Sequence, residues 1–230
     1  MYPPENSSFG GFRASEKKDV GQAGPVPMAG GLNPVAQNVM QALSGHPSLV
    51  MKMQILSMGK NYDVMDPNQT VLCKIGLDAG QNVSGQMLGN AVGGYIGRYV
   101  SRSLNYTYKV KDPAGNIALE IRKTGGGNHS QFQVVDPFLG TPVGLIEMKR
   151  GLMGGLDATW VAPSGQPLMN TKGSILRRQY EIVGADGREM GHVRHKILAI
   201  RDVWELELGQ GSNHLFSSIF ATVLDFEKEM

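Results

Sequence analysis

The sequence predicts a mainly β protein: a barrel or sandwich of roughly a dozen short antiparallel strands, with a buried hydrophobic helix at its C-terminus. Three observations predict it. A hairpin motif recurs along the chain, a strand-breaking turn follows each copy, and the last segment is apolar on almost every side.

The motif is clearest in Tyr62-Asp-Val-Met-Asp66-Pro67, Tyr108-Lys-Val-Lys-Asp112-Pro113 and Phe132-Gln-Val-Val-Asp136-Pro137. An aromatic and a valine two residues apart share one face of a strand, the half-buried alternation of an antiparallel sheet. Asp-Pro then ends the strand, because proline has no N–H for the ladder and presets a turn dihedral. A β-rich run returns after each turn: Val71–Ile75, Ile117–Arg122 and Val143–Met148. Weaker copies begin at Trp160 and Tyr180. Gly115, Gly140, Gly165 and Gly187 stand where the chain must reverse with positive φ. Spacing between copies is unequal, which argues against a solenoid or propeller of fixed period.

Around these hairpins the remaining elements fall into place. Residues 1–32 are rich in Gly, Pro and Ser, and are expected to form a disordered arm before a single domain over 33–230. Asn33-Pro34 reads as the cap and first residue of a short helix with Val35, Val39, Met40 and Leu43 as its apolar side, ended by Gly45. Leu49–Leu56 reads as a strand, and Val203–Leu208 as a last strand whose Glu205 and Glu207 face water. Asn213 is placed to cap the final helix. That helix carries large apolar residues at 215, 216, 219, 220, 223, 224 and 226 with Ser217, Ser218 and Ala221 between them, so it must be buried in protein or in lipid. About 14 residues give roughly 21 Å, short of a hydrocarbon core of about 30 Å, so burial inside a barrel is the better reading.

In their order, the aromatic-x-aliphatic-x-Asp hairpins, the late strand Asp202-Val-Trp204 and the ending Val223-Leu-Asp-Phe-Glu227 resemble the phospholipid scramblase and LURP-one-related families. The resemblance covers about residues 33–230. It implies the tubby-like fold, a closed β-barrel of about twelve antiparallel strands around a buried hydrophobic C-terminal helix. For some members it also implies association with membrane lipid or phosphoinositide.

Composition sets the outer limits. Apolar residues make up 41% of 230, enough for a sizeable core. A single cysteine, Cys73, excludes an intramolecular disulfide and a thiolate zinc site, and its place in a strand reads as a small buried apolar residue. No secretory signal is read at Met-Tyr-Pro-Pro and no apolar run is long enough to span a bilayer, so the expected location is the cytoplasm, peripheral to a membrane's cytosolic face if membrane-bound. Charge is uneven: residues 105–201 hold thirteen Lys/Arg against eight acids, while residues 202–230 hold one Lys against six acids. A basic body suits an anionic surface, and it equally suits ordinary solvation.

Basic residues follow the second strand of several hairpins: Arg122-Lys123, Lys149-Arg150, Arg177-Arg178, and Arg194 with Lys196. Gathered on one rim they would bind anionic lipid headgroups; scattered they are solubility charges and edge protection. In Val83–Leu104, Gly85, Gly89, Gly93 and Gly97 fall at four-residue steps beside an apolar stripe, ending with Arg98 and Arg102. On a helix this is a smooth ridge for membrane contact or self-association; the other reading is a flexible insertion. The scramblase calcium segment corresponds to Asp202–Ser212, where only Asp202, Glu205 and Glu207 are acidic and the central Gly and final bidentate Glu of an EF-hand loop are missing, leaving at most weak calcium binding. His192 and His195 stand three apart on a strand, on opposite faces, and cannot chelate together. No metal or other cofactor, no nucleic-acid motif and no catalytic constellation is read. The expectation is thus a scramblase-like protein that binds anionic lipid without being an enzyme. Its alternative is a soluble LURP-one-type interaction module with a protein partner. A weaker third reading has the barrel hold a small hydrophobic ligand.

Overall fold

A computed structural model describes residues 31–54, 61–77, 106–126, 129–150, 156–174, 179–198, 201–209 and 211–229. Helix α1 (Pro34–Ser44) is followed by twelve strands and a final helix, α2 (His214–Glu229). The strands are β1 (Ser48–Met53), β2 (Asn61–Met65), β3 (Val71–Leu77), β4 (Thr107–Lys111), β5 (Ile117–Gly126) and β6 (His129–Val135). The second half is β7 (Pro142–Arg150), β8 (Leu156–Val161), β9 (Pro167–Ser174), β10 (Gln179–Gly184), β11 (Glu189–Leu198) and β12 (Arg201–Leu208). Neighbours in sequence pair antiparallel all the way round. Pairing of β1 with β12, Met51 opposite Trp204, closes the sheet into a barrel.

All five hairpins form, and they share a detail that the motif does not spell out. Each loses register just before its turn, at Val64/Met65, Val110/Lys111, Val134/Val135, Trp160/Val161 and Ile182/Val183. The returning strand carries one extra residue there: Leu72, Ala118, Val143, Leu168 or Met190. Such bulges deepen the local twist, which a small closed barrel requires. The motif aspartate then ties the turn. Asp66 accepts from Thr70 N and Asp112 from Asn116 N, each at 2.8 Å. The predicted glycines do adopt positive φ, for example 94° at Gly115 and 81° at Gly187.

Helix α2 lies in the lumen. Every residue from Leu215 to Asp225 is buried, a run of three turns that leaves no side facing water. Its Phe216 ring packs 4.4 Å from Trp160 on β8, and Asp225 accepts a hydrogen bond from the Tyr62 hydroxyl on β2. Those strands stand on opposite sides of the ring, so the helix touches both walls. Asn213 caps it as expected, its Oδ1 accepting from Phe216 N at 3.2 Å.

Helix α1 packs on α2, β3 and β5 and buries Ala36, Val39 and Leu43. Asn33 caps it through Oδ1 and Ala36 N at 2.9 Å, and its amide donates to Ala118 O at 2.7 Å. Leu32, the last residue of the expected arm, is buried in the core. The rest of the expected arm, residues 1–30, lies outside the described residues.

Candidate functional site

Antiparallel order fixes which end of the barrel each residue occupies. The Asp-bearing hairpin turns all lie at one end, where α2 also enters. Strands β5, β7, β9 and β11 all run away from that end, so the basic residues late in them gather toward the other. Asp66, Asp112, Asp136 and Asp186 thus lie at the turn end, and Lys149 and Lys196 toward the opposite one.

Around the circumference these cations are spread. Arg122 is on β5 and Arg194 and Lys196 are on β11, six strands away in a ring of twelve. Several are engaged with neighbouring acids: Arg122 Nη2 lies 2.7 Å from Glu120, Lys196 Nζ 2.6 Å from Glu205, and Arg194 Nη1 3.7 Å from Glu207. Lys149 is exposed, between His129 on β6 and Asp157 on β8. Lys123 corrects the expectation outright. It follows Arg122, so strand alternation turns it inward, where it is 1% exposed and its Nζ lies 5.8 Å from the ring centroids of both Tyr106 and Phe132. It belongs to the lumen and cannot touch a membrane surface. The Arg150 side chain, together with Arg98, Arg102, Arg177, Arg178 and the glycines Gly85, Gly89, Gly93 and Gly97, lies outside the described residues.

Sequence reasoning missed a basic strip on the outer wall of β3–β5, where Lys74 also has Asp63 of β2 opposite its other side. Lys74 on β3 stands directly opposite Lys111 on β4, with Lys109 diagonal to it. Lys109 in turn faces Glu120 on β5, and Arg122 follows two residues later. Neither Lys74 nor Lys111 has an ion-pair partner among the described residues. Directly opposed side chains have Cβ atoms about 5 Å apart, and like charges at that separation repel. One phosphate or carboxylate between them relieves the repulsion and accepts from both ammonium groups. The signal in the sequence was Lys109 and Lys111 alternating with Tyr108 and Val110, which puts both lysines outside. Their meeting with Lys74 depends on a register set across residues 78–105.

Other candidates resolve into structural roles. Glu205 and Glu207 face outward on β12 and pair with the β11 cations above; the side chain of Asp202, the third member of the calcium segment, lies outside the described residues. His192 contacts Glu189 at 2.7 Å on the outside, while His195 is buried against the Trp204 ring at 4.6 Å, so the two histidines do face opposite ways. Cys73 is fully buried, and that burial, reinforced by Asp63, pushes its thiol pKa up to about 12, which leaves it unreactive. No described helix is long and apolar enough to cross a membrane.

No family model matches the chain, and no curated protein matches it. Among solved structures it is similar to a protein of Arabidopsis thaliana at 15% identity and a TM-score of 0.48, over 78% of this chain and 91% of that one. A LolA superfamily protein from Nitrosomonas europaea superposes at 9% identity and a TM-score of 0.20, over 76% of this chain and 94% of that one. Neither superposition is close enough to establish more than the barrel's own pairing already does.

Proposed function

We propose that this chain is a peripheral lipid-surface protein of the scramblase-like kind that its motif order resembles. It takes anionic headgroups, phosphoinositides included, on the outer wall of β3–β5. The observation that carries this reading is the opposed pair Lys74 and Lys111, backed by Lys109 and Arg122. A headgroup phosphate accepts hydrogen bonds from two or three of these side chains at once, and additional phosphates extend the contact. The connection between β3 and β4 holds Arg98 and Arg102, and so joins this same wall in the chain. The rival reading, an interaction module without lipid affinity, draws on Arg122, Arg194 and Lys196 already being paired with acids.

Vesicle co-sedimentation separates the two. Neutral and phosphoinositide-doped vesicles are compared at low and high salt, with the natural chain, Lys74→Ala/Lys111→Ala, and Arg194→Ala/Lys196→Ala. The natural chain is expected to need acidic lipid and to release at high salt. At about 1 kcal/mol per surface cation, the first double variant loses roughly 10- to 30-fold in affinity and the second much less. An equal loss from both variants moves the site away from β3–β5. No sedimentation with acidic vesicles at either salt overturns lipid binding and leaves the partner module, to be pursued by pull-down.

A further inference from the structure

The β6–β7 turn carries two apolar side chains that neither the core nor the basic wall uses. Phe138 and Leu139 are 66% and 55% exposed, the exposed large hydrophobic residues among those described. The turn that presents them is fixed. Both backbone N–H groups donate to Asp136 Oδ1, at 3.0 and 3.1 Å, and Gly140 N donates to Asp136 O at 2.8 Å. The Asp136 carboxylate is itself buried and held from its other oxygen by Asn33 N at 2.8 Å. A tip ordered in advance loses little conformational entropy when something covers it.

Register places cations beside this tip. Lys109 on β4, Glu120 on β5 and Val135 on β6 stand in one row across the sheet. Strands β4 and β6 both run toward the turn end, and Lys111 and Phe138 lie two and three residues past that row. They therefore stand at nearly the same height on the barrel, two strand spacings or about 10 Å apart. Lys74 is level with Lys111 as its direct partner on β3. The carboxylates nearest the tip do not oppose an anion there: Asp136 is buried, and Asp112 is turned onto Asn116, accepting from its N and Nδ2 at 2.8 Å each.

A stable protein interface takes about 800 Å² from each partner, and two side chains on one hairpin turn supply far less. A bilayer makes a different demand. Its surface attracts cations to anionic headgroups, and apolar side chains that reach past them enter the boundary with the acyl chains. We infer that Phe138 and Leu139 are a membrane-inserting tip, entering that boundary of an anionic bilayer while Lys111 and Lys74 hold its headgroups. The tip rests on the lipid reading above and adds to it an orientation, in which the turn end of the barrel meets the bilayer on its β3–β7 side.

Fluorescence of Phe138→Trp in the full chain tests it, because Trp160 and Trp204 are fully buried and give a constant background. On phosphoinositide-doped vesicles the added emission is expected to shift to the blue and to be quenched by lipids brominated in the acyl chain. Phe138→Ser/Leu139→Ser is expected to bind those vesicles about 10- to 100-fold more weakly by co-sedimentation. Its urea midpoint should stay that of the natural chain, since both side chains are exposed and serine keeps the backbone donors to Asp136. If the natural chain binds acidic vesicles but the quenching is absent and the serine variant binds equally, the tip is overturned and the headgroup site on β3–β5 stands. If the natural chain binds no vesicle, the lipid reading falls and the tip with it. A blue-shifted emission before any lipid is added also overturns the tip, and its dependence on protein concentration tells a second copy from another part of the same chain as the cover.

Discussion

Asp136 collects four N–H donors on one carboxylate, from Phe138 and Leu139 on Oδ1 and twice from Asn33 on Oδ2. Burial alone would raise its pKa, but the donors from Asn33, Leu139 and Phe138 outweigh it and hold the carboxyl below the usual carboxylate range. Asp66 is lowered first by the Thr70 backbone N–H, and Asp112 first by the Asn116 side chain. A carboxyl whose folded pKa is depressed contributes stability above its unfolded value, about 3.9, and loses it as pH falls through the lower folded value. Stability should therefore drop below about pH 4. Asp136→Asn replaces an acceptor by a donor facing Asn33, so the variant is less stable at pH 7, and its deficit shrinks by pH 3. Urea midpoints at the two pH values measure this; a deficit of the same size at both would mean that the ionised carboxylate is not what holds α1. Gly144 makes a separate steric demand. A Cβ there would lie 2.5 Å from Trp160 Nε1 and 3.0 Å from Val161 O. Gly144→Ala must push aside the ring that packs on Phe216, and is expected to cost about 1–3 kcal/mol by urea unfolding.

Among the elements, α2 does the most to fill the molecule. Phe216 is packed on Trp160 and Phe220 is fully buried, so Phe216→Ala should destabilise by about 3–5 kcal/mol, read from the shift of the urea midpoint at unchanged slope. A loss under about 1 kcal/mol would mean that the lumen can collapse around the gap. This helix and the five hairpins were legible in the sequence because each is a local pattern: an unbroken apolar surface, or alternation closed by Asp-Pro. The bulges were not, since an extra residue in a β-rich run leaves its composition unchanged. Nor was the fate of the basic pairs fully legible. Arg122 and Lys123 are adjacent, so only one can face out, and which one depends on the face that Ile121 and Leu119 take. The Lys74–Lys111 pair is the harder case. Each lysine is predictably external, but their juxtaposition arises from register between strands separated by a long connection.

At the scale of the whole molecule, closure and filling depend on each other. The seam is β1 against β12, the two ends of the barrel's sequence, and α2 follows immediately after β12. Closing that seam carries the loop entropy of almost the entire chain, which the β1–β12 ladder and the helix that then occupies the lumen must together offset. Trp160 and Tyr62 line the walls that α2 meets, and an empty barrel would leave those faces wet or collapsed. A chain ending at Gly209 should accordingly lose cooperative unfolding and near-UV dichroism while binding a hydrophobic dye, the signature of strands without fixed packing. A truncated chain that keeps a sharp transition and native near-UV dichroism would show that the barrel stands without its helix. The same logic bears on a small apolar ligand inside the barrel. With every position of Leu215–Asp225 buried, α2 occupies the lumen itself, so a ligand that needs that space must displace the helix.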